Sequence, residues 1–118
     1  FGGNALVCSA GACVIKTLLE ENLIEECNIK GKYFKDRLID LQNTFPHIVK
    51  DVRGKGLMLG VQLYDSVDAK HVVKSALDMG FIINCTGDNT LRFVPPLIIS
   101  VNEINDLIYT LEKIFNEC

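Results

Sequence analysis

Apolar residues recur along this chain with two alternating periods. From Ala5 to Glu20, Leu6, Ala10, Val14 and Leu18 return every four positions, which predicts a helix with Asn4 placed to cap it. A second helix is expected almost at once. Asn22 and Glu25 form an N-x-x-E variant of the capping box, and Ile24, Cys27, Gly31, Phe34, Leu38 and Leu41 repeat at spacings of three and four, up to the stop at Pro46. From Ile48 the period falls to two. Ile48 to Arg53 reads as a strand and Gly54-Lys55-Gly56 as a turn. Leu57, Leu59, Val61 and Leu63 then alternate with Met58, Gly60 and Gln62, as in a strand with one buried side.

Beyond that hairpin the helical period returns. Asp65 or Ser66 is placed to cap a helix whose stripe is Ala69, Val72, Val73, Ala76 and Leu77, with Gly80 ending it in the left-handed conformation. Phe81 to Asn84 and Thr90 to Val94 read as short strands joined through Thr86-Gly87-Asp88-Asn89, and Pro95-Pro96 blocks further ladder bonds. A β-α-β unit results. Ser100 with Glu103 is a capping box for a last helix with Ile104, Leu107, Ile108, Leu111 and Ile114 on its buried side. The order α-α-β-β-α-β-β-α predicts an α+β fold: a small mixed sheet of three to four strands covered by helices, with an N-terminal helical pair.

Composition narrows the partners. At 118 residues, 48% apolar and 23% charged, the chain suits one globular domain able to bury a core without metals or disulfides. No run approaches the length of a membrane-spanning helix, and the twelve Lys and Arg are dispersed within a net charge of −3. Neither nucleic acid nor a membrane is expected as a partner. Five cysteines without a C-x-x-C pair suit a reducing, cytoplasmic setting. Cys8 and Cys13 on one helix would stand roughly 140° apart, unsuited to a shared metal, and they read as small core hydrophobes. The chain opens at Phe1 without an initiator Met or a signal segment, and is expected to be a fragment.

Few residues suggest chemistry by themselves. His47 and His71 stand alone, as exposed histidines do. Arg53-Gly54-Lys55-Gly56 lacks the spacing of a phosphate loop and precedes a strand, so a tight turn is the better reading. Phe1-Gly2-Gly3-Asn4, directly before a helix, offers backbone N–H groups to an anion, or is simply a glycine hinge with a cap. In Leu91-Arg92-Phe93-Val94 the alternation turns Arg92 away from the apolar side at a strand end. There a guanidinium can grip a carboxylate through two parallel bonds, or is merely an exposed strand residue.

Three motifs carry a resemblance. Phe1-Gly2-Gly3-Asn4 before a small-residue helix, Asp51-Val52-Arg53-Gly54-Lys55-Gly56-Leu57-Met58-Leu59-Gly60, and Leu91-Arg92-Phe93-Val94-Pro95-Pro96-Leu97 resemble, in order and spacing, the C-terminal part of class III aminotransferases, the acetylornithine and ornithine branch above all. The resemblance covers essentially the whole chain. It implies that residues 1–118 are the small C-terminal domain of a homodimeric fold-type-I enzyme. Pyridoxal 5'-phosphate would be held as a Schiff base by a lysine of a large domain upstream of Phe1, leaving this fragment inactive alone. By the same resemblance Arg92 holds a substrate carboxylate, and Phe1, Gly2, Gly3 and Asn4 approach the cofactor phosphate of the partner subunit. The family's hydroxyl residue for that phosphate would precede Phe1, and Ala5 stands where the family usually has proline.

The substrates so implied are an amino acid and a 2-oxo acid. The wording of the motifs resembles the acetylornithine branch most, which implies amino transfer between N-acetylornithine and 2-oxoglutarate in arginine biosynthesis. Ornithine, succinylornithine and 4-aminobutyrate are the alternative donors. Two readings from other classes stand beside it: a stand-alone ligand-binding α+β regulatory module, and a structural interaction domain built on the first two helices.

Overall fold

In the computed structural model, which describes residues 2–118, the first two helices are α1 (Ala5–Glu20) and α2 (Leu23–Thr44). The expected capping box between them does not form. Asn22 takes the left-handed conformation (φ 53°) and its side chain caps nothing, because the step from one helix straight into the next leaves no extended residue from which a cap could reach back. Strand β1 (Val49–Lys55) turns at Gly56-Leu57 into β2 (Met58–Leu63), and Gly56 has the positive φ, 54°, that a two-residue hairpin needs.

Helix α3 (Ala69–Asp78) is capped by Asp68, not by Asp65 or Ser66; its carboxylate accepts from the Lys70 N–H at 2.9 Å. Gly80 (φ 90°) ends the helix as expected. Its N–H reaches the Leu77 carbonyl and that of Phe81 the Ala76 carbonyl, the two bonds of a Schellman stop. Phe81 therefore belongs to the helix end, and β3 begins only at Asn84 (Asn84–Thr86), later and shorter than the alternation suggested. Strand β4 (Thr90–Phe93) and helix α4 (Val101–Asn116) complete the chain, and α4 carries both halves of the predicted box: Ser100 Oγ accepts from Glu103 N–H and the Glu103 carboxylate accepts from Ser100 N–H.

The sheet order is β1-β2-β4-β3. Strands β2 and β3 run in the same direction, as the β-α-β pattern requires, but β4 folds back into the gap between them. The mixed sheet expected from the sequence is therefore antiparallel at every pairing. Helices α2, α3 and α4 cover one face, where Leu59, Val61, Leu63, Leu91 and Phe93 are buried with Phe34, Leu38, Val72, Ile104, Ile108 and Leu111. Phe34 of α2 meets Phe93 of β4 edge-on, with ring centroids 5.5 Å apart.

Helix α1 stands apart from this core. None of its residues is buried, and Leu6, Val7, Val14, Ile15 and Leu19 are exposed. Cys8 and Cys13 are exposed as well, contrary to their reading as core hydrophobes, because among the described residues α1 packs chiefly against α2, with no second layer above it. The radius of gyration, 16.6 Å, exceeds the roughly 13.5 Å of a compact chain this long for the same reason.

One side chain ties the two ends of the β-α-β crossover together. Asn89 is left-handed (φ 59°) in the β3–β4 turn; its amide nitrogen donates to the carbonyls of Tyr64 and Val67 at 2.9 and 2.8 Å, and its oxygen accepts from the Ala69 N–H at 3.1 Å. Asn89→Ala removes three bonds and puts a Cβ-bearing residue without local hydrogen bonding into the left-handed region. The expected loss is about 2 kcal/mol by urea denaturation, and Asn89→Gly, which removes only the bonds, loses less.

Candidate carboxylate site on the open sheet face

The alternation that buries Leu59, Val61, Leu91 and Phe93 sends Asp51, Arg53, Gly60, Gln62, Thr90, Arg92 and Asn84 to the opposite face, which none of α2, α3 and α4 covers. Gly60 lies at the centre of this face, paired with Arg53 on one side and Arg92 on the other. A Cβ there would come within 3.3 Å of the Thr90 methyl and 3.9 Å of Arg53 Cγ. The bare glycine lets Arg53 lie across β2 toward β4.

Arg53 is fully engaged. Its guanidinium donates to Asp51 (3.2 Å), Gln62 (2.9 Å), Asp88 (3.3 Å) and the Thr90 hydroxyl (3.1 Å), so one side chain links β1, β2, β4 and the β3–β4 turn. The Thr86 hydroxyl, a close partner of the Asp88 carboxylate, holds that carboxyl below its ordinary range, with Thr90 and the Arg53 charge adding to the effect. Of the three arginines, Arg37 pairs with Asp40 and Arg53 with Asp51 and Asp88. The Arg92 guanidinium has neither an ion pair nor a hydrogen bond among the described residues.

Arg92 is exposed at the C-terminal end of β4, in a depression of about 260 Å³ lined by Asn84, Arg92 and Val94. It does not stand on a sheet edge, as a strand end closed by two prolines suggested. Strand β4 is an inner strand, flanked by β2 and β3, so the backbone beneath the guanidinium is held from both sides. A guanidinium with no internal acceptor, projecting from a fixed strand, can take a carboxylate or phosphate through two parallel bonds.

The other residues singled out in the sequence lie elsewhere. Phe1 is outside the described residues. Gly2 and Gly3 form an exposed turn, with Gly3 at φ 80°, and Asn4 caps α1 by accepting from the N–H groups of Leu6 (2.9 Å) and Val7 (3.3 Å). None of Gly2, Gly3 and Asn4 lines the depression at Arg92. His47 and His71 are exposed, as their isolation suggested, and no three His, Cys, Asp or Glu side chains among the described residues are grouped to hold a metal. The sequence pattern marks Asn84 only as a strand residue. Its place beside Arg92 comes from the β3–β4 register, which no local pattern announces.

Fold, site and motif order converge on one class. Residues 1–115 match the family described as aminotransferase class-III, and the chain belongs to that family. Across 117 residues it is 42% identical to the acetylornithine aminotransferase of Caldanaerobacter subterraneus subsp. tengcongensis, covering 99% of this chain and 29% of that protein. Its backbone superposes on the acetylornithine aminotransferase of Elizabethkingia anophelis with a TM-score of 0.92 at 27% identity, covering 100% of this chain and 30% of that one. The ornithine aminotransferase of Toxoplasma gondii ME49 gives 0.87 at 32% identity, covering 99% and 28%. The chain thus spans less than a third of the length of these relatives.

Proposed function

We propose that this chain is the C-terminal small domain of a pyridoxal-phosphate-dependent acetylornithine aminotransferase, acting in the cytoplasm as a homodimer, and that it supplies the carboxylate anchor of the active site. The observation that carries the reading is Arg92: the one arginine without an acidic partner among the described residues stands on the open polar face of a buttressed sheet. Arg92 fixes a substrate carboxylate and thereby the direction in which the amino or oxo carbon points, which is the orienting part of catalysis. Its charge stays available because Asp51 and Asp88 are occupied by Arg53.

Gly2, Gly3 and Asn4 are assigned to the cofactor phosphate of the partner subunit. A Cβ at Gly2 or Gly3 would meet nothing within 4 Å, so the backbone there is open to an oxyanion. Asn4 already occupies the Leu6 and Val7 N–H groups, so the approach is to the glycine backbone and not along the helix axis. When bound, pyridoxal phosphate would supply an electron sink for the carbon that carries the transferred amino group. The lysine that holds it is assigned to the large domain, as are the contacts to the far end of the donor.

The test is a comparison of two preparations. The 118-residue chain mixed with pyridoxal phosphate is expected to show neither a discrete absorbance band of a lysine-bound cofactor nor turnover. The full-length protein is expected to transfer the amino group of N-acetylornithine to 2-oxoglutarate faster than that of ornithine or 4-aminobutyrate. Turnover by the short chain would overturn the domain assignment, and a preference for ornithine would overturn the choice of donor.

A further inference from the structure

We propose that Asn84 is a second carboxylate-binding residue, whose amide nitrogen donates to the same substrate carboxylate that Arg92 grips, beside an apolar wall made by Val94. The inference rests on the reading of Arg92 as the anchor and extends it to the chemistry of the group that is held.

Asn84 and Arg92 are directly opposite each other in the antiparallel β3–β4 pair, which places their side chains on one face with Cβ atoms roughly 5 Å apart. Both are exposed, and both line the same depression. The amide of Asn84 has a defined orientation. Its oxygen accepts the Cys85 N–H at 2.8 Å, and only the oxygen of an amide can accept from an N–H, so Nδ2 is the outward end. Nδ2 has no acceptor among the described residues. The contrast with Asn89 is direct, since that nitrogen is committed to two backbone carbonyls.

A carboxylate offers about four acceptor positions, of which a bidentate guanidinium uses two. A neutral donor beside the guanidinium can use a third without adding charge. Val94 follows Arg92 by two residues, is exposed, and is the apolar member of the depression. A cationic fork, an amide donor and an isopropyl wall together suit a carboxylate carried on an aliphatic carbon, and suit it better than a phosphate, whose remaining oxygens would face Val94.

The experiment uses the full-length enzyme, with 2-oxoglutarate as the carboxylate probe and thermal midpoints recorded for each variant. Asn84→Ala is expected to raise KM for 2-oxoglutarate roughly ten-fold with kcat and midpoint unchanged, the pattern of a lost binding contact. Asn84→Asp places a competing carboxylate opposite Arg92 and is expected to raise KM further. The double variant Asn84→Ala/Arg92→Ala is expected to be no worse than Arg92→Ala alone, because the two donors share one acceptor group. An unchanged KM in Asn84→Ala, with the Arg92→Ala defect intact, overturns this inference and leaves the anchor standing. A parallel fall in kcat and midpoint would mark a structural role and also overturn it. No effect of Arg92→Ala would remove both readings.

Discussion

Gly31→Ala is expected to destabilise the domain by about 3 kcal/mol, although alanine is the better helix former by about 1 kcal/mol in an exposed position. Gly31 lies in the buried stripe of α2, where the helix crosses the β1–β2 hairpin against its turn residue Gly56. A Cβ on Gly31 would stand 2.7 Å from Gly56 Cα and nearer still to its carbonyl group. Backbone cannot rotate away as a side chain can. Gly56 is itself confined to positive φ, so the turn has little freedom to yield. Either α2 lifts from the sheet, loosening the contacts of Phe34 and Leu38, or the hairpin bends. Gly11 provides the control: in α1 its Cβ would meet nothing within 4 Å, so Gly11→Ala is expected to hold or raise the urea midpoint while Gly31→Ala lowers it. Equal effects of the two substitutions would mean that the helix does not press on the hairpin as described.

The same glycine marks how far local pattern reaches. Gly31 stands in sequence at a stripe position, so its burial was legible, but the reason a side chain is excluded lies in Gly56, twenty-five residues away. Where the physics is local, the pattern was enough. The Ser100-Glu103 box, the Gly80 stop and the alternation of β2 are each set by neighbours within a few residues, and all three form as read. Where a partner comes from afar, the reading slipped. Asp68 caps α3 in place of Asp65 or Ser66 in a loop that Asn89 secures from the far side of the crossover. Cys8 and Cys13 look like core residues by composition, yet α1 packs against α2 along a face that leaves both exposed.

The candidate site divides along the same line. That Arg92 points away from the core follows from its alternation with Leu91 and Phe93 alone. That it is the unpaired arginine does not, because this depends on Arg53 crossing Gly60 to collect both acidic groups of that face, Asp51 and Asp88. The Arg53-Gly54-Lys55-Gly56 motif, read from the sequence as a turn, is strand as far as Lys55 with only Gly56 in the turn, and its Arg53 pairs with the carboxylates of Asp51 and Asp88.

From this follows the largest functional effect expected. Arg92→Ala in the full-length enzyme should raise KM for 2-oxoglutarate by about a hundredfold, corresponding to about 3 kcal/mol, within the range for removing one partner of a hydrogen-bonded charge pair. Stability should be unaffected, since the side chain is exposed and has no bonded partner among the described residues that its loss would leave unsatisfied. Arg92→Lys keeps the charge but not the planar fork and should recover only part of the affinity. Arg37→Ala is the matched control: that guanidinium is paired with Asp40 within α2, on the far side of the sheet, and its removal should leave KM unchanged whatever it does to stability. Should Arg92→Ala bind 2-oxoglutarate as the parent does, the free guanidinium on the open face would be a surface charge and nothing more, and the anchor would have to be sought outside this domain.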